Sequence, residues 1–405
     1  MALIQTDILV SGGGVAGLTA ACAFGAAGFS VLCVDPAPPV TAEADAGADL
    51  RTTAFLQPSR HVLDAAGLWD RLAAFAAPLQ IMRIVDAGGK TTDARNVADF
   101  DASDISDQPF GWNLPNWLLR REMLARIADL PNVTFLAGVS TTHATPREQE
   151  ICVQLSTGDS ARARLAIAAD GRNSVLRHQA GIAVKTWRYG QKALAFSVSH
   201  PVPHNNVSTE IHRTGGPFTL VPMPDHKGQP RSAIVWMDKG ANIQHLAAMP
   251  VAEFERALAD RSANLFGPLT LIGRRTVWPI ISQLAARLTA QRLALIAEAA
   301  HVVPPIGAQG LNMSLADIST LLGLARHAPD DLGSQAMLDK YHRARWPELA
   351  ARVVGIDLLN RSSMAQNPLL RDMRHLGLKA LHDIKPLRKT LMRAGLGAGA
   401  DRTGH

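Results

Sequence analysis

The stretch from residue 7 to residue 35 constrains this chain more than any other, because a glycine cluster there joins two apolar runs of strand type. Glycines with G-x-G-x-x-G spacing allow a tight turn, close approach of a phosphate to the backbone, and close packing of a helix on a strand. An acid that ends the second run suits the ribose hydroxyls of an adenosine. The three glycines and this acid are Gly12, Gly14, Gly17 and Asp35.

A strand before the cluster, a helix after it and an acid 18 residues beyond its last glycine favour a dinucleotide-binding unit over a chance glycine turn. Free N–H groups at the helix start, around Val15 and Ala16, would face the phosphates. A signal peptide is not expected, since residues 1–7 carry no Lys or Arg. A membrane span would not place a glycine cluster so near its start.

The composition predicts a globular protein of two or more lobes, with 405 residues, 47% hydrophobic and 19% charged. Three cysteines argue against a disulfide framework and predict a cytoplasmic location. No C-x-x-C or H-E-x-x-H motif occurs, so a protein-bound metal is not expected. The net charge of +6 equals the excess of nine Lys/Arg over three Asp/Glu from Arg361 onward, which predicts a basic tail and no nucleic-acid partner.

Two regions of the chain have a β pattern that is separate from the glycine unit. Residues 191–238 alternate without a strand–helix–strand rhythm, which predicts the sheet of a second lobe. Residues 79–112 predict a hairpin that turns at Ala87, Gly88 and Gly89, and helices are expected at 59–72 and 113–130.

Residues 292–318 form the second informative stretch, in which a buried strand from Leu293 to Ala297 delivers Glu298. A Pro-Pro and glycine-rich loop then opens a helix at about Leu311, and such a helix start suits an anionic ligand. Apolar surroundings would make an unpaired charge costly, so Glu298 is expected to meet a ligand. An Asp170-Gly171 turn that ends a strand before Arg177 is also a place for a ligand contact.

Four segments in fixed order resemble one family, the flavin-dependent aromatic hydroxylases of the p-hydroxybenzoate hydroxylase fold. They are GGGVAG (12–17), DLRTTAFLQPS (49–59), ADGRNSVLR (169–177) and EAAHVVPPIGAQGLN (298–312). Within that family, WRYGQKAL (187–194) and GGPFTLVPMP (215–224) are most similar to the ubiquinone-biosynthesis hydroxylases.

The resemblance implies a set of residues that bind FAD without a covalent bond. Arg51 would lie near the flavin or pyrophosphate, although the residues alone leave a solvated loop arginine equally open. Arg120 or Arg121 would approach the ribityl chain, with Arg121 chosen as the candidate. Pro305 would face the isoalloxazine. The remaining implied FAD residues are Gly12, Gly14, Val15, Ala16, Gly17, Asp35, Asp170, Glu298, Gly307, Gln309, Gly310, Leu311 and Asn312.

Three positions depart from the family pattern, and we expect all three to change the local backbone shape only slightly. The usual G-D-A-A-H is here Ala297 to His301, with glutamate in place of aspartate. The usual G-Q-G is Ala308 to Gly310, and Ser314 stands where glycine is frequent. His301 is expected to be structural and not a catalytic base.

The implied fold is α/β, with a Rossmann-like FAD-binding domain, a second and mainly β substrate domain, and C-terminal helices. The predicted ranges are 1–78, 113–182 and 270–335 for the first domain, 79–112 and 183–269 for the second, and 336–405 for the C-terminal region. Residues 363–393, which include Met392, mix apolar and basic side chains. They would either form interfacial helices at the inner membrane face or pack on the FAD lobe.

The resemblance implies that NAD(P)H reduces FAD and that the reduced flavin and O2 hydroxylate the ring of a (poly)prenylated phenol in ubiquinone biosynthesis. No side-chain acid or base is then required. Three alternatives stay open: a hydroxylase of another small aromatic compound, an isoprenoid-type flavin reductase, and a flavin-poor assembly subunit of the quinone-biosynthesis complex. Other quinone-biosynthesis proteins are candidate partners, as is a peripheral membrane surface.

Overall fold

The structure is a computed structural model that describes residues 2–87, 96–213, 215–364, 389–390 and 392. The strands are β1 Leu3–Ser11, β2 Val31–Asp35, β3 Thr52–Leu56, β4 Ala77–Leu79, β5 Ile81–Asp86, β6 Asn96–Asp101, β7 Gly111–Pro115, β8 Val133–Ala137, β9 Thr141–Pro146, β10 Ile151–Leu155, β11 Ser160–Ala168, β12 Val184–Ser199, β13 Val207–His212, β14 Pro217–His226, β15 Gln229–Lys239, β16 Thr270–Ala285, β17 Thr289–Ala290, β18 Leu293–Leu295 and β19 His301–Val302. The α-helices are α1 Val15–Ala26, α2 Gln57–Ala65, α3 Trp69–Leu72, α4 Asn116–Ala128, α5 Val175–Gln179, α6 Gly240–Ala248, α7 Val251–Arg261, α8 Ala297–Ala300, α9 Gln309–His327 and α10 Gln335–Met364.

The first sheet has the order β17-β18-β11-β1-β2-β8, and β9 and β10 extend it beside β11. The pairs β18–β11, β11–β1, β1–β2 and β2–β8 are parallel. The carboxyl ends of these strands therefore meet at one edge of the sheet, where open α/β sheets bind their ligands. Helix α1 packs on this sheet and is apolar all round, with every residue from Ala16 to Gly25 buried.

The second sheet has the order β19-β16-β12-β15-β14-β13-β5-β6, and a third, small sheet has the order β3-β7-β4. Long antiparallel pairings join β16, β12, β15 and β14. Their inner face is covered by α6 and α7 around a second apolar core that includes Phe196, Phe218 and Phe254. The mainly β second lobe that the sequence predicts is thus present.

A buried polar network joins the first lobe to the C-terminal helix. The Asp317 carboxylate of α9 lies 2.8 Å from His301 Nε2 and accepts a bond of 2.9 Å from Arg345 Nε of α10. All three side chains are almost completely buried, so each polar group depends on its partners. This network agrees with the structural role predicted for His301, which stays a prediction.

Several predicted element bounds differ from the observed ones. The helix expected at 59–72 is interrupted at Gly67, whose φ of +68° ends one segment before α3 begins. The helix expected at 113–130 starts only at Asn116, because residues 111–115 form the middle strand of the third sheet. The predicted hairpin is the antiparallel β5–β6 pair, and most of its turn lies outside the described residues.

The strand at 270–285 also departs from the predicted organisation. The predicted domain ranges place it in the FAD-binding unit, within 270–335. In the structure, β16 runs along β12 in the second sheet. The other domain boundaries remain a prediction. Within the described part of the chain, no helix is both long and apolar enough to cross a membrane.

Most of the predicted interfacial region falls outside the described residues. Met392, one of its described residues, is buried in a small cluster with Leu56, Ala102 and Phe110. This apolar side chain therefore packs on the body of the protein and does not lie at a membrane boundary.

Candidate cofactor site

The predicted motif segments converge at the carboxyl edge of the first sheet. The glycine turn follows β1, Asp35 ends β2, the Asp170-Gly171 turn follows β11, and Glu298 follows β18. Because these four strands are neighbours in the sheet, the sequence motifs form one site although they are far apart along the chain.

The three motif glycines have different physical requirements. A Cβ at Gly12, where φ is +111°, would lie 2.3 Å from the Ala169 oxygen, and a Cβ at Gly17 would lie 1.8 Å from the Gly12 oxygen. Apart from the residues next to Gly14, no atom of the described residues lies within 4 Å of a Cβ built on it. Two glycines thus satisfy packing within the protein, and the third borders the open space that a pyrophosphate requires.

Asp35 is held in place by the turn that it faces. Its carboxylate accepts bonds from the backbone N–H groups of Gly13 at 2.6 Å and Ala37 at 2.8 Å. The same acid that would meet a ribose therefore also fixes the glycine turn. Its ribose contact stays a prediction.

Asp170 has one carboxylate oxygen with partners and one without. Oδ2 accepts the N–H groups of Val175 at 2.9 Å and Leu176 at 3.3 Å. Oδ1 is buried and has no hydrogen-bond partner among the described residues. Burial raises the pKa of Asp170 above its ordinary value, although the Ser174 hydroxyl and these N–H groups act in the opposite direction. A buried, unpaired acceptor beside the glycine turn fits a missing ligand that carries hydroxyl donors.

Arg177 links two of the motif loops through bonds to their backbone carbonyls. Its guanidinium is buried and donates to the Ala299 carbonyl at 2.8 Å and to the Arg172 carbonyl at 2.7 Å. The Asp170 turn and the α8 turn are thereby held together. Sequence reasoning missed this link because both acceptors are backbone atoms.

Glu298 lies at the surface of the α8 turn, so the prediction of apolar surroundings is wrong. Its side chain is 49% exposed and lies 3.6 Å from Arg172 Nε. The strand that precedes it ends at Leu295, which leaves Glu298 within a short helical turn. The contact of Glu298 with the ribityl chain stays a prediction, without the argument from apolar surroundings.

Two of the three departures from the family pattern affect the backbone conformation more than expected. Ala297 has φ +54° and Ala308 has φ +55°, both in the left-handed region that glycine adopts without cost. They stand where the family pattern has glycine, Ala297 at the start of α8 and Ala308 directly before α9. The serine at position 314 changes the backbone little, since it lies within α9 and its hydroxyl donates to the Gly310 carbonyl.

The start of α9 offers backbone donors to the site. Counted from the N-cap Ala308, the N–H groups of Gly310 and Leu311 have no acceptor within the helix. The N–H of Asn312 is the first that can bond within the helix, so we expect Leu311, and not Asn312, to offer a free donor. Pro305 and Gly307 lie in the loop before this start.

The Asn312 side chain instead joins α9 to the segment around β3. Its Oδ1 accepts from the Leu56 N–H at 2.9 Å and the Ser59 hydroxyl at 2.6 Å, and its Nδ2 donates to the Ala54 carbonyl. Gln309 braces the loop itself, because its Nε2 donates to the Gly307 carbonyl and its Oε1 accepts from Arg352 of α10.

Arg51 is paired and stacked, so it is not a solvated loop arginine. It donates to both oxygens of Asp49 at 2.7–2.8 Å and lies 3.9 Å above the Trp278 ring. Burial alone would lower the pKa of Arg51, but the bonds and charge of Asp49, with the charge of Glu298, raise it. The side chain of Arg51 therefore stays cationic, and its contact with the cofactor stays a prediction.

The two arginines of α4 differ in a way that the sequence does not reveal. Arg121 is 43% exposed and pairs with Glu122 at 2.8 Å. Arg120 has a buried Nε without a partner among the described residues. We therefore favour Arg120 over Arg121 as the arginine that contacts the ribityl chain.

The chain is similar to known flavoproteins over almost its whole length. Residues 5–355 match the family described as FAD binding domain. The chain is 33% identical over 394 residues to ubiquinone hydroxylase UbiL of Rhodospirillum rubrum, which covers 96% of this chain and 89% of that protein. It is 27% identical over 398 residues to 3-demethoxyubiquinol 3-hydroxylase of Escherichia coli, which covers 97% of this chain and 98% of that protein.

A solved structure shares the fold. The p-nitrophenol 4-monooxygenase PnpA from Pseudomonas putida DLL-E4 matches with a TM-score of 0.79 at 19% identity, covering 98% of this chain and 100% of that chain. The fold class predicted from the sequence is confirmed.

Gly14→Val should abolish flavin binding without unfolding the protein. Gly14 has φ −70° and ψ 175°, which valine adopts readily, and the added side chain would fill the open space beside the turn. The measurement is flavin absorbance after purification, together with the melting temperature. Gly323→Val, at an exposed glycine of α9 with open space around it, is the matched control and should keep its flavin. Flavin retained by the Gly14 variant would contradict the loop assignment.

Ala297→Gly and Ala308→Gly should each stabilise the protein by about 1 kcal/mol, because glycine removes the left-handed strain at these positions. The free energy of unfolding of the flavin-free protein in urea is the measurement. Ala316→Gly, within α9, serves as the control and should destabilise by about 0.5–1 kcal/mol. Destabilisation at all three positions would show that neither loop alanine is strained.

Proposed function

The chain belongs to the FAD binding domain family, and we propose that it is an FAD-dependent monooxygenase that hydroxylates the ring of a (poly)prenylated phenol in ubiquinone biosynthesis. The observation that carries this proposal is the similarity to ubiquinone hydroxylase UbiL along 96% of the chain. A relative named for another ubiquinone hydroxylation step covers 97% of it.

The described side chains fit a reaction in which the cofactor performs the chemistry. FAD that has been reduced by NAD(P)H supplies, with O2, an electrophilic oxygen for an electron-rich ring. His301 is fixed by Asp317 and is buried, so it is not free to accept a substrate proton. The protein's part is then to bind, orient and exclude water.

Each part of the site has a distinct task under this proposal. Gly14 and the start of α1 would accept the pyrophosphate, and the unpaired Asp170 Oδ1 would accept a cofactor hydroxyl. The N–H groups of Gly310 and Leu311 would face the electron-poor edge of the isoalloxazine with the positive end of a 19-residue helix. Arg51 adds a fixed positive charge nearby.

An apolar cluster joins the loop before α9 to the second sheet, and we propose that it forms a wall for the aromatic substrate. Ala193, Met237 and Ile280 are buried there, with Ile306 and Tyr189 packed against them. Ile306 directly follows Pro305, the residue that the family resemblance places against the flavin. An apolar wall in this place would receive the ring and shield the reaction from water.

A peripheral membrane contact is the further part of the proposal. Val354, Leu358 and Leu359 form an exposed apolar face on α10, with Leu358 62% exposed and Leu359 58% exposed. This face leads into the segment that carries the whole positive excess of the chain. An anionic bilayer would contact the leucines with its acyl chains and the basic segment with its headgroups.

The hydroxylation is tested with purified protein, NAD(P)H, 18O2 and a prenylated phenol. We expect yellow protein, O2 consumption that depends on the phenol, and a product that contains one labelled oxygen atom. A flavin reductase would turn over without labelled product. A flavin-poor assembly subunit would be colourless. Either result would contradict the proposal.

The membrane contact is tested by sedimentation with liposomes that contain anionic lipid. Leu358→Ser combined with Leu359→Ser should reduce the bound fraction several-fold while flavin content stays unchanged, since both side chains are exposed. The matched control is Val202→Ser combined with Val251→Ser, two apolar residues exposed elsewhere. Equal loss in both double variants, or no binding by the parent, would refute this contact.

A further inference from the structure

Strand β12 contains a bulge at the apolar wall. Arg188 of β12 pairs with Ile281 of β16, but Lys192 pairs with Pro279, so the three residues 189–191 of β12 stand opposite the single residue Ile280. Gly190 has φ +68°, which permits this irregularity. Bulges of this kind redirect side chains, and here they redirect Tyr189 and Gln191.

Both redirected side chains are bonded to one face of α10. The Tyr189 hydroxyl donates to Asp357 Oδ1 at 2.6 Å and accepts from the Ser282 hydroxyl at 2.7 Å. The Gln191 Oε1 accepts from Asn360 Nδ2 at 2.9 Å. Asp357 and Asn360 are three residues apart, so they project from the same side of the helix. Burial and the bond to Asp357 raise the pKa of Tyr189 to about 12, which keeps its hydroxyl a donor.

Helix α10 and Tyr189 also contact the loop before α9. The Tyr189 ring packs in the cluster that contains Ile306, and Arg352 of α10 donates to Gln309 at 2.9 Å in the same loop. One helix thus bonds both to the loop before α9 and to the bulge of β12. The two side chains that make these bonds, Arg352 and Asp357, are five residues apart on α10.

We propose that Asp357 is a positioning residue for the aromatic substrate, because its bond to Tyr189 fixes the bulge 189–191 against Ile306. The inference rests on the proposed function, since it assigns the wall to the substrate ring. Asp357 itself touches neither substrate nor cofactor in this proposal. Its removal would leave the ring of Tyr189 free to shift and would widen the space in which the substrate is oriented.

The test compares Asp357→Ala, Asp357→Asn and Tyr189→Phe in the FAD-loaded protein, with a prenylated phenol as the probe. For Asp357→Ala we expect about a tenfold rise in KM and a clear fall in product formed per NAD(P)H oxidised, with unchanged flavin content. Asp357→Asn keeps an acceptor for Tyr189 and should restore most of the parent values. Tyr189→Phe should resemble Asp357→Ala, and the double variant should be no worse than either single variant.

The matched control is Asp339→Ala, which removes a surface acid of the same helix that pairs only with Gln335 and at 3.7 Å with Arg287 among the contacts described. It should leave KM and the product ratio unchanged. A lower melting temperature for Asp357→Ala with parental KM and product ratio would show a merely structural role and overturn the inference.

A second readout separates this inference from the proposed function. Binding of the phenol is followed by the change in flavin absorbance, which requires no turnover. A parent protein that neither binds the phenol nor hydroxylates it would refute the proposed function and the role of Asp357 with it. A parent that does both, beside an Asp357→Ala variant that binds equally well and forms as much product, would refute the positioning role alone.

Discussion

The arrangement of this protein depends on the buried carboxylate of Asp317. One oxygen holds His301 after the α8 turn, and the other holds Arg345 of α10, so one residue of α9 fixes elements on both of its sides. Buried charges are retained only where each has a partner, and the net gain in stability from such pairs is often small. Their value here is geometric, since they place the start of α9 and the course of α10 relative to the first sheet.

The cofactor site follows from that placement through a few side-chain links between loops. Arg177 joins the turns after β11 and β18, and Asn312 joins α9 to the segment around β3. None of these side chains needs to enter a reaction. Asp170 Oδ1 and Arg120 Nε are among the buried side-chain atoms without a hydrogen-bond partner in the described part of the chain, and both are groups that a bound flavin nucleotide could satisfy. The protein therefore provides a binding surface and unpaired hydrogen-bonding groups, and a flavin cofactor would fit the surface and pair with these groups.

The parts of the site that could be predicted from the sequence are those with local causes. The roles of Gly12 and Gly17 follow from turn geometry, and close backbone contacts at both positions agree with them. The exposure of Glu298, the left-handed alanines and the pairing of Arg51 with Trp278 depend on contacts between distant segments, which no local pattern encodes. The same limit applies to the second sheet. Its alternating strands are visible in the sequence, but the partner of β16 and the bulge in β12 are not.

The order of strands in the first sheet has a consequence for how the protein is made. Leu9 of β1 pairs with Ala166 of β11, which in turn pairs with Leu293 of β18. During synthesis, β11 leaves the ribosome long after β1, and β18 long after β11. Parallel pairing between segments that are distant in sequence is slow to form. Until β18 has emerged, the apolar strand β11 presents an open edge, which is a template for unwanted pairing between chains. The cofactor site is therefore expected to assemble late, and newly made chains to depend on protection from aggregation before they can bind a flavin.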